Sequence, residues 1–243
     1  MTVRQRADRL LVERGLFESR AKAQAAIEAG LVIANGAMVR KPSDVVAVDA
    51  SLLATPAHPY VSRGGVKLAA ALDHFGFDPR GRVCLDVGAS TGGFTQVLLE
   101  RGAKRVYAVD VGRGQLHHSL QGDAAVVSLE ETDIRNVSPA LLDPPPDLAT
   151  IDVSFISLKL VLPAAAALMK SPAQLIALIK PQFEAGRAAA KKGVVRDTAL
   201  HAAICDDISA FVAALGWLIL GIIPSPIPGG DGNAEFLLGA VRD

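Results

Sequence analysis

Residues 84–112, CLDVGASTGGFTQVLLERGAKRVYAVDVG, constrain this chain more than any other stretch. They read as an apolar strand, a glycine-rich turn, a helix and a second strand, with an aspartate at the end of each strand. A strand that returns parallel to its predecessor through a helix builds a sheet covered on both faces. Apolar strands over 83–86, 105–110, 148–152 and 174–179 alternate with helical stretches and continue this pattern. The end of the chain differs, because WLILGII and EFLLGAV are joined by a Pro/Gly-rich turn without a helix. That predicts an antiparallel final strand on an otherwise parallel sheet, so the expected class is α/β and Rossmann-like.

The first sixty residues carry another pattern. Leu10 and Leu11 share a face of a short helix over 6–14, and Ala23, Ala26 and Ile27 repeat at helical spacing in a second one over 19–29, with Ser19 as its N-cap. Gly30 ends the second helix, and LVIANGAMV follows as a hairpin turning at Asn35-Gly36. Pro42, Pro56 and Pro59 punctuate what reads as an extended connector. Two domains are therefore expected, 1–60 as a small α+β unit with its connector and 61–243 as the α/β domain. Half of the 243 residues are apolar and the formal charge is zero. Residues 1–60 hold eight Lys/Arg against six Asp/Glu, a surplus of +2 that by itself marks no nucleic-acid surface. Cys84 and Cys205 sit in apolar patterns without metal-site spacing and are expected to be buried and reduced; no metal is expected. The N-terminus lacks a signal-like apolar core and the longest apolar stretches are shorter than a membrane span, so a soluble cytoplasmic protein is expected.

The glycines decide what the turn can hold. A dinucleotide fingerprint is G-x-G-x-x-G directly after the strand, whereas Asp86 to Gly93 reads D-x-G-x-x-x-G-G. There is no second glycine where a pyrophosphate would approach, and an acid there repels a diphosphate but suits an ammonium. Asp110, 24 residues after Asp86 at the end of the next strand, is placed to accept both hydroxyls of a ribose. A ligand with a ribose, no phosphate and a cationic amino-acid tail is S-adenosylmethionine. Asp86, Gly88, Ser90, Gly92, Gly93 and Phe94 are the residues expected at its methionine end, Asp110 at the ribose, and Asp133 of ETDIRN, where the third strand is expected to end, at the adenine amino group.

Lys180 follows the strand QLIALI, Lys67 opens a helix in SRGGVKLAAAL, Asp152 closes LATID and Glu235 opens EFLLGAV. A carboxylate and ammonium groups around one hydroxyl lower its pKa and aim its lone pair, which is what methyl transfer requires. No Pro-Cys pair and no N/D-P-P-Y/F motif appears, so cysteine-adduct carbon methylation and base-amine methylation are disfavoured, and hydroxyl methylation remains.

The motifs SRGGVKL, DVGASTGGFT, AVDVGRGQL, DVSFISL, LIKPQFEAGR, KGVVRD and GNAEFLL resemble the TlyA family, cytidine 2′-O-methyltransferases of ribosomal RNA sometimes labelled haemolysins. The catalytic part is similar to FtsJ-type enzymes with a class I methyltransferase fold, whose Lys-Asp-Lys-Glu tetrad falls on Lys67, Asp152, Lys180 and Glu235. RADRLLVERGLFESRAKAQAAIEAGLVIANGAMVRKPS resembles the S4-type RNA-binding domain. The resemblance implies S-adenosylmethionine as cofactor and ribosomal RNA or ribosomal subunits as partner. RNA would be gripped by Arg6, Arg20, Lys22, Arg40, Lys41 and Arg63, with Lys191 and Lys192 extending the track. Lys180 is expected to activate the ribose hydroxyl, Asp152 to orient Lys180, and Lys67 and Glu235 to complete the network. Three rivals stand beside this reading: a membrane-active haemolysin, for which no apolar span or secretion signal is visible; an RNA-binding assembly factor without turnover, against which the intact tetrad argues; and a small-molecule O-methyltransferase, which has no use for the N-terminal unit.

Overall fold

The computed structural model describes residues 3–185, 194–229 and 232–243. The chain divides into two compact units, Met1–Pro59 and Tyr60–Asp243.

In the first unit, β1 (Arg4–Arg6) leads into α1 (Ala7–Glu13) and α2 (Arg20–Glu28), followed by β2 (Val32–Ala34), β3 (Ala37–Met38), β4 (Val45–Ala47) and β5 (Leu52–Ala54). Ser19 caps α2 by accepting from the Lys22 amide at 3.3 Å. The β2–β3 hairpin turns at Asn35 (φ 49°) and Gly36 (φ 79°), both left-handed as a two-residue turn of this hand requires. Leu11, Ala23, Ala26, Ile27 and Val32 form its core. Residues 45–54, expected as connector, instead complete the unit: β4 pairs with β1 and β5 with β2, both antiparallel. Their strands are three residues each, too short for alternation to mark them in the sequence.

The second unit carries α3 (Gly64–Phe75), β6 (Val83–Val87), α4 (Gly93–Glu100), β7 (Arg105–Val109), β8 (Val126–Leu129), β9 (Leu148–Ile151), α5 (Leu158–Leu168), β10 (Ala173–Ile179), α6 (Pro181–Glu184), α7 (Thr198–Ala214), β11 (Leu218–Pro224) and β12 (Phe236–Arg242). Among the described residues seven of these strands form one sheet in the order β11-β12-β10-β9-β6-β7-β8. The pairs β10–β9, β9–β6, β6–β7 and β7–β8 are parallel, while β12 runs antiparallel to both β10 and β11.

Strand alternation sorts side chains between two cores. Leu85, Val87, Ala149 and Ile151 pack with Leu158 and Leu162 of α5 and Ile208 of α7. Cys84, Val106 and Leu148 pack on the other face with Leu68 and Leu72 of α3 and Leu98 of α4. A leucine as fully buried as Leu68 or Leu98 (both 0% exposed) contributes roughly 2 kcal/mol through the apolar area it removes from water. Cys84 and Cys205 are buried free thiols, and burial pushes both toward the protonated form, Cys205 to about 11.

Candidate active site

The parallel strands deliver their polar residues to one edge of the sheet. Asp110, Asp152 and Lys180 each follow the last residue of a strand (β7, β9 and β10), and Glu235 precedes antiparallel β12, whose Phe236 pairs with Ile179. This is the carboxyl-end crevice in which open α/β sheets bind ligands.

The turn after β6 is shaped by close approach. Gly88 has φ 84°, and a Cβ there would lie 2.4 Å from the Asp152 carbonyl oxygen, so only glycine lets the ends of β6 and β9 meet. Ser90, also left-handed at φ 47°, donates its amide to Asp110 Oδ2 at 2.8 Å, and Gly112 donates to Asp110 Oδ1 at 2.7 Å. Asp110 thereby ties the turn after β6 to the loop after β7, and each carboxylate oxygen keeps a lone pair for a ligand hydroxyl.

Two adjoining cavities open at this edge. The larger, about 380 Å³, is lined by the polar Asp110, Asp133 and Gln115 and the apolar Ile134, Val153 and Ile156, among others. The smaller, about 280 Å³, is lined by Arg63, Lys67, Phe94 and Lys180 among others. Gly88, Ser90, Asp152 and Ser154 belong to both walls and form the boundary the two cavities share. The larger cavity suits a nucleoside: a carboxylate with free lone pairs for ribose hydroxyls, beside an apolar slot for a base.

Four expected catalytic residues converge as two ion pairs. Lys180 Nζ lies 2.5 Å from Asp152 Oδ1 and donates to Ser154 Oγ at 2.9 Å. Lys67 Nζ donates to Glu235 Oε2 at 2.5 Å, with both side chains buried. Lys67, Asp152 and Lys180 reach the smaller cavity, while Glu235 stands behind Lys67.

Among the expected cofactor residues, Gly88, Ser90, Asp110 and Asp133 line the larger cavity and Gly93 and Phe94 the smaller one. Gly92 lines neither; it packs under Leu116 and Leu120. Asp86 corrects the expectation most clearly. It is the fourth residue of β6 and shares the α4 face with Cys84, fully buried, with Thr95 Oγ1 donating to it at 2.6 Å and Thr150 Oγ1 at 3.3 Å. Its carboxyl has no exposure to either cavity, so direct contact with a ligand ammonium does not follow. Burial pushes its pKa up to about 7, with the Asp152 charge adding to the rise and the threonine hydroxyls opposing it. Asp133 departs in another way. Strand β8 ends at Leu129, and Asp133 caps the helical turn Ile134–Asn136, its oxygens held by the Arg135 guanidinium and backbone amide. The Arg135 bonds hold its carboxyl below the usual range, so an adenine amino group would share an occupied acceptor.

The expected RNA-contacting cations are of two kinds. Arg6 and Arg20 both grip the buried Asp8, and Lys22 pairs with Glu18 at 2.7 Å. Arg40, Lys41 and Arg63 are exposed, and Arg63 lies at the smaller cavity. Lys191 and Lys192 lie outside the described residues.

Three contributors escaped sequence reasoning. Ser154 bonds Lys180, although its only signal is a place two residues after Asp152. Phe155 lies on the wall of the larger cavity, 91% exposed at φ 64°, its ring 5.0 Å from that of Phe183; no sequence pattern announces that backbone angle. Glu130 accepts the amides of Gly114, Gln115 and Leu116, which holds Gln115 at the larger cavity.

The model of FtsJ-like methyltransferases matches residues 60–242, and that of the S4 domain residues 5–51. The chain is 48% identical over 239 residues to YqxC of Bacillus subtilis, named as an rRNA methyltransferase, covering 97% of this chain and 85% of that one. It is 44% identical over 241 residues to the 16S/23S rRNA (cytidine-2′-O)-methyltransferase TlyA of Mycobacterium tuberculosis, covering 98% of this chain and 90% of the relative. A solved structure from Streptococcus thermophilus, named a hemolysin, superposes with a TM-score of 0.78 at 42% identity, covering all of this chain and 90% of that one. Among the described residues no helix is long and apolar enough to cross a membrane.

Proposed function

This chain belongs to the FtsJ-like methyltransferase family, with an S4 domain at its N-terminus, and from that premise we propose that it methylates the 2′-hydroxyl of cytidine in ribosomal RNA with S-adenosylmethionine as donor. The observation that carries the reading is that two cavities share Asp152 in their walls, with Lys180 and Lys67 lining the smaller and Asp110 the larger.

The chemistry supplied by bound S-adenosylmethionine is a methyl group on a sulfonium. The chain's own residues do the rest. Asp110 accepts from the ribose hydroxyls of the donor, and Ile134, Val153 and Ile156 exclude water around its base. Lys180 Nζ, anchored by Asp152, donates to the 2′-oxygen of the target and stabilises the negative charge that develops as the hydroxyl proton passes to water. Lys67, fixed by Glu235, adds a second cation near the same oxygen. Arg63 meets backbone phosphate, and the exposed Phe155 ring offers a stacking face for an unstacked base. Arg6, Arg20, Arg40 and Lys41 hold the RNA by its backbone. Ribosomal subunits in the cytoplasm are the proposed partner.

Labelled methyl from S-adenosylmethionine, offered with ribosomal subunits lacking the modification, is expected to appear in ribose-methylated cytidine on nuclease mapping. Lys180→Ala is expected to lower transfer by at least about 100-fold while cofactor affinity is unchanged. Full activity in that variant would overturn the role of Lys180, and no transfer by the wild-type chain would overturn the substrate.

A further inference from the structure

The ammonium of Lys180 is held from two sides. Asp152 Oδ1 makes an ion contact at 2.5 Å, and Ser154 Oγ accepts a hydrogen bond at 2.9 Å. An ammonium has three N–H groups, and among the described residues no other side-chain or backbone acceptor is bonded to this one. One anchor leaves the head of a four-carbon stem free to swing about that contact. The hydrogen bond to Ser154 Oγ orients one N–H, while the Asp152 carboxylate holds the charge beside it, so the two together restrict both the position and the swing of the head.

The segment that carries Ser154 is itself tied down by contacts that do not involve it. Glu184, four residues after Lys180, accepts from Ser157 Oγ at 2.5 Å and from the Leu158 amide at 2.8 Å. The Phe155 and Phe183 rings pack 5.0 Å apart across the same two segments. The Ser154 hydroxyl is thus delivered to Lys180 by a braced loop, and removing it leaves the braces in place. Ser154 is also one of four residues common to both cavity walls, the place where a methyl group must cross.

We propose that Ser154 is a positioning residue for methyl transfer: with Asp152 it holds the Lys180 ammonium so that its free N–H groups face the smaller cavity, where the accepting hydroxyl sits. The proposal rests on the methyltransferase reading above. It assigns Ser154 no contact with the reacting atoms and no proton to carry; its product is direction, which sets kcat and leaves ground-state binding alone.

The test compares Ser154→Ala and Ser154→Thr in the full-length protein. Ser154→Ala is expected to lower kcat about 10- to 100-fold with KM for ribosomal subunits and for S-adenosylmethionine unchanged, and Ser154→Thr, which keeps the hydroxyl, is expected to restore most of it. A readout independent of turnover comes from the cofactor-free protein labelled with 15N-lysine. The Lys180 ammonium protons, assigned with Lys180→Arg, should give a slowly exchanging signal in the wild type that broadens in Ser154→Ala and returns in Ser154→Thr. An active wild-type enzyme whose Ser154→Ala variant keeps its kcat overturns the positioning role alone. Equal losses in the alanine and threonine variants overturn it too, because they indicate that shape rather than the hydroxyl matters. A wild-type protein inactive on ribosomal subunits, with the ammonium signal still dependent on Ser154, overturns the functional reading and the positioning role together while the hydrogen bond itself stands.

Discussion

Asp8 in the N-terminal unit and Asp86 in the catalytic unit are both 0% exposed, yet their surroundings shift them in opposite directions. Asp8 is roofed by long side chains: Arg6 binds it through two nitrogens, each at 3.0 Å, Arg20 at 2.8 Å and Gln24 at 2.9 Å. The Arg6 bonds first, then those of Arg20 and Gln24, hold its carboxyl well below the usual range. Asp86 is enclosed by the sheet and α4 with only neutral donors for partners among the described residues, two threonine hydroxyls and the Thr95 amide, and burial drives it up to about 7. A buried carboxylate stays ionised where guanidinium groups reach it and tends to neutralise where only neutral donors do. In the first unit the acid organises two cations for the surface. In the second the acid is sealed between the sheet and α4 with no exposure to solvent.

The two acids therefore respond to pH with opposite signs. The folded-state pKa of Asp8 lies below its unfolded value, so its contribution is present above the unfolded value and is lost as pH falls through the folded one. The folded-state pKa of Asp86 lies above the ordinary 3.8, so stability declines as pH rises from 3.8 to about 7 and levels off beyond. Asp8→Ala is expected to show the largest effect, because it removes the shared partner of Arg6, Arg20 and Gln24 in a unit of 59 residues whose small core gives little margin. A loss on the order of 1–2 kcal/mol is expected from the hydrogen bonds removed, read as faster amide exchange throughout α1 and α2 of the full chain; unchanged exchange there would remove Asp8 from the account of that unit. Asp86→Asn comes next. Thermal melts between pH 4 and 8 should lose the decline seen in the wild type, the difference being greatest at the alkaline end, and cofactor affinity should stay within about threefold, or roughly 0.6 kcal/mol. A tenfold weaker cofactor affinity would return Asp86 to the ligand site. Smallest is Thr95→Val, which removes the 2.6 Å bond that favours the charged form. The pH at which stability levels off should move upward, with about 1 kcal/mol lost at pH 8; a downward move would contradict the hydrogen-bond assignment.

The uneven legibility of these features has a physical basis. The strands β6, β7, β9 and β10 were readable because burial on both sheet faces demands continuous apolar runs, and the residues just beyond three of their ends were readable because a strand end fixes a location. Asp86 was misread by a single position, since the strand runs on through Val87 and alternation turns the carboxyl under α4. β8 was weakly marked because its residues Val126–Leu129 lie at the sheet edge and none is fully buried. The pairing of Asp8 with Arg20, twelve residues away, had no local signature at all.

The sequence by itself determined the two-part organisation, the α/β class with its antiparallel last strand, and the family, because periodicity, turn chemistry and ordered motifs are properties of the chain read in one dimension. The tertiary structure alone decided which acid faces a cavity and which is sealed, that Lys67 pairs with Glu235 across 168 positions, and that Ser154 reaches Lys180 across 26. Those outcomes depend on strand register and loop bracing, which bring together residues whose separation along the chain says nothing of their distance in space.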